Sequence, residues 1–411
     1  MQYARYLEAA LKSKTSQGKA RMVLGARQTG KSTLFQRILQ RDSLLIDLQE
    51  RPERTRFAQD PGLLTRTLLP AKKKVLHVFI DEIQRVPDLL DEIQLLLDRL
   101  PKRFIFTVTG SSARRLRRGP VNLLPGRVHR YFLSPVSLWE QSGKRVWTLL
   151  KPPRVPSPAK FPSGQLFPMR PIEEVLTLGS LPAAFVEGQG FQKTLQSYAE
   201  AYIEEEVLRE MAARNLGQYG RFLQLAGVES GKPISLTKIS QESGIAISTI
   251  RGFYEVLEDT LLGFKLPPFL GSPRARILKT PKFYFFDVGV RNAVAGLPLD
   301  KKILATEGGN LFEHWVACEL QARIGYLGRS QRLSYWRTVD GAEVDFVLET
   351  PREVMPIEVK YTRNPRPADA AGLEHFIARH PSRARRGFVV CRCQRPEQLT
   401  EHVQAIPWEE L

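Results

Sequence analysis

The run Gly25-Ala26-Arg27-Gln28-Thr29-Gly30-Lys31-Ser32-Thr33 meets G-x-x-x-x-G-K-[ST] at every fixed position. Such a run does phosphate chemistry. Gly25 and Gly30 let the backbone curl, so that N–H groups from Gln28 to Thr33 can face phosphate oxygens. The N-terminus of a following helix adds partial positive charge. Lys31 would reach the β/γ-phosphates and the Ser32 hydroxyl would hold Mg²⁺. A glycine turn beside a basic helix is the plainer alternative.

Two further stretches complete a hydrolytic site. The apolar run from Val75 to Ile80 ends in Asp81-Glu82. Asp81 would hold Mg²⁺ through water, and Glu82 would activate the attacking water as a general base. Two carboxylates there could also mark nothing more than a helix start. The run Phe104–Thr109 ends in Gly110-Ser111-Ser112. In a parallel sheet this tip lies beside the phosphate loop, which makes Ser111 a candidate to orient water or sense the γ-phosphate; a tight turn is the alternative. Arginines follow at 114, 115, 117, 118 and 127. Arg127, just before the next strand, is the candidate arginine finger, and the 114–118 run reads as a solvated basic face.

A second constellation lies near the C-terminus. Glu343 and Asp345 share one strand face, and Glu358 and Lys360 share another. A hairpin would bring Asp345 to Glu358. Two carboxylates and the Val359 carbonyl could hold Mg²⁺, and Lys360 could orient water or steady charge on a phosphate. Glu313, on a preceding helix, is a further candidate ligand or water-orienting group.

The elements that must position these residues are legible. Apolar runs at 22–24, 44–48, 75–80, 104–109 and 128–133 alternate with helical periodicity, clearest at positions 89, 90, 93, 96, 97 and 100. That pattern predicts a buried parallel sheet. Residues 143–171 are proline-rich and read as a loop or linker. Residues 172–230 read as a helical lid. Residues 234–270 read as two helices around Gly244 and a following strand, as in a winged helix, with Ile239 and Ile245 inside. Ser248, Thr249 and Arg251 could then face a DNA groove, or the unit could merely join domains. The tail reads helix 307–323, strands 332–338, 343–349 and 354–359, helix 368–379 and strand 387–392.

Composition excludes some classes. The chain has 411 residues, 42% hydrophobic and 25% charged, which is ordinary for a globular protein of several domains. No apolar run approaches ~18 residues, so no membrane span is expected. The amphipathic N-terminus lacks a signal core. Three cysteines and six histidines make neither a disulfide framework nor a zinc site. A reducing cytoplasm suits this composition. The 61 Lys+Arg against 43 Asp+Glu give a net charge of +18. That balance favours polyanionic partners, although a general arginine bias would produce it too.

The phosphate loop, the strand ending in Asp81-Glu82-Ile83-Gln84 and the Thr109-Gly110-Ser111-Ser112 tip resemble those of a prokaryotic AAA+-like predicted ATPase family whose C-terminal half carries the domain DUF4143. Pro281-Lys-Phe-Tyr-Phe-Phe-Asp-Val-Gly-Val-Arg, Gly309-Asn-Leu-Phe-Glu-His-Trp-Val and Trp336-Arg-Thr-Val-Asp-Gly-Ala-Glu-Val-Asp-Phe-Val support the resemblance. The C-terminal constellation and its element order look like the PD-(D/E)xK nuclease fold, with Asp345 inside Glu-Val-Asp-Phe rather than after a proline. A decayed fold used only for packing or DNA binding would look the same.

The expected architecture is α/β: a RecA/AAA+-like P-loop ATPase core (1–142), the proline-rich linker (143–171), a helical lid (172–230), a winged-helix-like unit (231–290) and a restriction-endonuclease-like domain (291–411). The expected function is ATP-dependent DNA processing, with ATP and Mg²⁺ at the first site and Mg²⁺ or Mn²⁺ at the second. A nucleotide-controlled switch that only grips DNA or a protein is the alternative. No membrane partner is expected, and a homo-oligomer, in the limit a ring, would let an arginine act between subunits.

Overall fold

The computed structural model describes residues 3–12, 18–39, 43–72, 75–111, 126–142, 149, 165–202, 216–269, 280–327, 330–338 and 341–411. Ser112, the arginines at 114–118, most of the proline-rich segment and residues 203–215 of the expected helical lid lie outside them. The chain forms two compact units. One comprises Met1–Ser134, Val155–Phe167 and Asp259–Leu261. The other comprises Pro135–Arg154, Pro168–Glu258 and Leu262–Leu411.

In the first unit five strands form one parallel sheet. They are β1 (Ala20–Leu24), β2 (Leu44–Asp47), β3 (Leu76–Asp81), β4 (Phe104–Gly110) and β5 (Val128–Phe132). Their order is β2-β3-β4-β1-β5. Register pairs Leu24 with both Gly110 and Phe132, and Asp47 with Asp81. The carboxyl ends of β1, β3 and β4 therefore lie at one edge, where ligands of open α/β sheets bind. The central strands β1, β3 and β4 are buried along most of their length, as a covered parallel sheet requires. Helix Leu89–Arg99 buries Leu89, Leu90, Ile93, Leu96 and Leu97, each contributing roughly 1.5–3 kcal/mol by leaving water.

In the second unit one aromatic-rich core runs from Leu181 to Leu299. It unites the expected lid with the expected winged-helix-like unit. Helix Leu236–Ser243 is capped by Ser235, whose Oγ accepts from Lys238 N at 3.3 Å. Gly244 ends it with φ 70°, a left-handed conformation that costs glycine little. Helix Ile247–Asp259 follows, then the antiparallel pair β6 (Gly263–Leu266) and β7 (Lys282–Phe285). Ile239 and Ile245 are buried as expected.

The C-terminal region holds a longer helix than expected, Leu304–Leu327. Six strands follow: β8 (Arg332–Arg337), β9 (Glu343–Glu349), β10 (Val354–Val359), β11 (Gly387–Cys391), β12 (Glu397–Gln398) and β13 (Val403–Pro407). Their order is β12-β13-β11-β10-β9-β8. β9 pairs antiparallel with β8 and β10, whereas β10, β11 and β13 run parallel. The two-residue strand β12 and the strand β13 were not legible in the sequence. Helix Ala371–Arg379 buries Leu373, Phe376 and Ile377.

Candidate functional site

The phosphate loop leaves the end of β1 at Gly25. A Cβ there would lie 2.5 Å from the Leu133 carbonyl oxygen, so only glycine fits. Gln28 and Gly30 take φ of 59° and 90°, which tightens the turn into helix Lys31–Ile38. Thr29 is buried and its Oγ1 donates to Ala26 O at 2.8 Å. Lys31 is buried too, and its Nζ donates to Gly25 O at 2.9 Å and Ala26 O at 3.0 Å. The ammonium thus sits at the loop that a phosphate would occupy, held by acceptors of the loop itself. Gln28, Ser32 and Thr33 are exposed, with backbone or hydroxyl groups open to a ligand.

Asp81 ends β3 beside this loop. Ser32 Oγ donates to Asp81 Oδ2 at 2.7 Å, Gln49 Nε2 donates to the same oxygen at 3.2 Å, and Thr109 Oγ1 donates to Oδ1. A hydroxyl and a carboxylate in contact are the pair that holds Mg²⁺ in P-loop sites. Glu82 follows in a left-handed conformation, φ 56°, unusual for a residue with a Cβ. Its N–H donates to Thr109 Oγ1 at 3.0 Å. Its Oε2 accepts from Gln84 Nε2 at 2.5 Å and Ser111 Oγ at 3.1 Å, and Gln84 Nε2 also reaches Ser111 Oγ at 3.0 Å. The tip of β4 therefore fixes the carboxylate beyond β3.

Arg127 is not brought here in its own chain. Its carbonyl accepts from Ala20 N, at the start of β1, and its guanidinium pairs with Asp98 at 2.8 Å. The phosphate loop follows the other end of that strand. Four residues that sequence reasoning gave no role do meet the site: Arg5, Gln49, Gln84 and Thr109. Arg5 donates to Thr29 O and Ser134 O, each at 2.6 Å. Gln84 and Thr109 neighbour the motifs in sequence; nothing in the chain marks Arg5 or Gln49.

The second constellation also assembles. Phe346 and Ile357 pair at the end of the β9–β10 ladder, next to Asp345 and Glu358. There Asp345 Oδ2 accepts from Val359 N at 2.8 Å, and Lys360 Nζ donates to Glu358 Oε1 at 2.8 Å. Glu313 Oε1 accepts from Tyr284 OH at 2.6 Å. Burial holds the Asp345 carboxyl well above the usual carboxylate range, with Glu313 and Glu358 adding to it and Lys282 opposing. Burial also raises Glu358, against its bond to Lys360.

The residue missed here is Lys282, on β7. Its Nζ lies 3.3 Å from Glu313 Oε1 and 3.0 Å from Glu343 Oε1. Its side chain is 4% exposed. Burial alone would lower its pKa, but Glu313, Asp345 and Glu343 outweigh that and hold the ammonium above its ordinary value. Among the described residues no three His, Cys, Asp or Glu side chains are arranged to hold a metal ion as they stand. The carboxylates are instead distributed over two lysines, an arginine, a tyrosine and a backbone N–H.

The fold and the phosphate loop define an AAA-type ATPase domain: residues 17–142 match the AAA domain family. Residues 308–411 match a domain of unknown function, DUF4143, and residues 169–301 match another, DUF8612. The chain therefore carries an AAA ATPase domain followed by a C-terminal DUF4143 domain. An AAA domain binds nucleotide with Mg²⁺ and hydrolyses ATP. Two relatives, the uncharacterized proteins Mb2031c of Mycobacterium bovis and Rv2008c of Mycobacterium tuberculosis, are each 25% identical over 372 residues, 87% of this chain and 74% of theirs. Among solved structures, PCH-2 of C. elegans is similar at 15% identity over 32% of this chain and 41% of that one, with TM-score 0.22. A DNA polymerase III gamma subunit-related protein of Thermotoga maritima is similar at 10% identity over 77% of this chain and 98% of that one, with TM-score 0.26. Among the described residues no helix is long and apolar enough to cross a membrane.

Proposed function

We propose that the chain is an ATP-dependent DNA-processing protein, in which ATP turnover at Lys31, Ser32, Asp81 and Glu82 is coupled to metal-dependent phosphodiester cleavage at Asp345, Glu358 and Lys360. The observation that carries the second half is the meeting of Asp345, Glu358 and Lys360 at the adjoining ends of β9 and β10. Burial of these carboxylates favours their pairing with a cation over leaving them charged and alone. A bound Mg²⁺ or Mn²⁺ would supply Lewis acidity and an activated water. Asp345 and Glu358 would hold it, Glu313 would orient water, and Lys360 would steady the phosphate. The net charge of +18 supports a polyanionic substrate. We place the protein in the cytoplasm.

The test uses branched, single-stranded and duplex DNA with Mg²⁺ or Mn²⁺. The expected result is cleavage that disappears in Asp345→Ala and Glu358→Ala. Absence of cleavage under every condition rejects this half. One observation favours a second reading, a nucleotide-controlled switch whose C-terminal domain binds without cutting: Lys282 already neutralises part of the acidic cluster. Under that reading DNA or protein binding responds to ATP while no phosphodiester bond is broken.

A further inference from the structure

Lys282 comes from the β6–β7 hairpin, far in sequence from the acidic residues it contacts. Its ammonium bridges Glu313 on helix Leu304–Leu327 and Glu343 at the start of β9. The Lys282 side chain is only 4% exposed, so solvent weakens these bonds less than it would at the surface. Tyr284, two residues along the same strand, donates to the same oxygen of Glu313. One face of β7 therefore presents two donors to one carboxylate. Meanwhile Glu358 Oε2 is buried and, among the described residues, has no hydrogen-bond partner. The cluster thus holds an acceptor without a donor next to an acid that is claimed twice.

We infer that Lys282 is a resident cation that competes with a divalent metal for the acidic cluster. This rests on the reading of that cluster as a metal site. Divalent metal takes oxygen ligands and gains affinity with the number of negative charges offered. In this structure Glu313 offers its Oε1 to Lys282 and Tyr284, and Glu343 offers its Oε1 to Lys282. A metal using Asp345 and Glu358 must draw Glu313 away from the ammonium, or bind beside a positive charge that repels it. Lys282 thereby sets the metal threshold of the site. Because it is carried by the hairpin, a shift of β7 would change that threshold without any change in the ligands.

The test is Mn²⁺ titration of the full-length protein without nucleotide, read by loss of the free-ion electron paramagnetic resonance signal. Binding that Asp345→Asn removes is assigned to this cluster, which separates it from metal at Ser32 and Asp81. Lys282→Met should tighten the Asp345-dependent binding by about tenfold, the order expected when one opposing charge leaves a multi-carboxylate site. Lys282→Gln, neutral and polar, should do the same and serves if the methionine variant does not fold; Lys282→Arg should leave affinity near that of the parent. Equal or weaker binding in folded Lys282→Gln, with the parent still binding, overturns the competition and leaves the site reading intact. Absence of Asp345-dependent binding in every variant overturns both.

Discussion

Ser111 Oγ donates to Glu82 Oε2 at 3.1 Å, and Gln84 Nε2 contacts both partners. The tip of one strand thus holds the carboxylate that follows its neighbour. Glu82 stands in a left-handed conformation that a side chain tolerates only when its surroundings impose it. Glu82→Gln should lower ATP turnover by about 10²–10⁴-fold, the span of general-base contributions, while ATP binding survives. Gln84→Ala should lower kcat by about tenfold through loss of orientation, with KM for ATP unchanged. Steady-state kinetics with a nucleotide-binding measurement decide both; an unaltered kcat in Glu82→Gln rejects the base assignment.

Lys31 is buried against Gly25 O and Ala26 O. Lys31→Ala removes the charge that these carbonyls hold at the loop. Nucleotide binding should weaken and turnover should vanish. Equilibrium binding of a fluorescent ATP analogue reads the first effect and phosphate release the second. Unchanged turnover would sink the phosphate-loop assignment.

Arg5 ties the carbonyl of Thr29, inside the loop, to that of Ser134, beyond β5. Arg5→Ala strands two carbonyl acceptors, each costing about 1–3 kcal/mol where it stays buried. The expected outcome is a lower thermal midpoint together with weaker ATP binding. If excess ATP restores the midpoint, the lesion is local to the loop, by mass action.

Acid stability offers a signed prediction. His314 is buried, its Nε2 is 2.8 Å from Phe285 O, and burial pulls its pKa down to about 3. Its folded value lies below its unfolded one, so its contribution is present above pH 6.5 and is lost as pH falls toward 3. The full loss is about 5 kcal/mol. Asp287 caps helix Val288–Val294, accepting from Val290 N at 3.1 Å and Ser180 N at 2.7 Å, and burial raises its pKa to about 6. Its folded value lies above its unfolded one, so its contribution is present at low pH and is lost as pH rises through 6, by about 3 kcal/mol. The two oppose each other between pH 4 and 6. Asp287→Asn should therefore make stability fall more steeply on acidification. Denaturant melts at pH 4, 5, 6 and 7, followed by tryptophan fluorescence, measure this; every tryptophan lies after residue 135. A variant curve parallel to that of the parent would contradict the Asp287 shift.

The five strands of the first unit and the positions of Lys31, Asp81, Glu82 and Ser111 were legible in the sequence. Short continuous apolar runs that alternate with helical periodicity fit the strands of a covered parallel sheet, and the phosphate loop has a fixed place in one. Helix Leu236–Ser243 and its Gly244 stop were legible for a similar reason, since capping and positive φ are local. The edge strand β12 was not, because two residues are too few to show a period, and β13, which pairs inside the sheet, lay beyond the last strand read from the sequence.

Residue type and local spacing by themselves determined a phosphate-binding strand–loop–helix, a second acidic and lysine-bearing strand pair, and the helices between them. Those are properties of neighbours along the chain. Tertiary structure alone decided which distant groups join each site. It brought Arg5 to the phosphate loop and Gln49 to Asp81, turned Arg127 toward Asp98 at the other end of the strands, and carried Lys282 into the cluster of Glu313, Glu343, Asp345 and Glu358. Such contacts depend on how strands stack and which face a hairpin presents, and no short-range pattern encodes them.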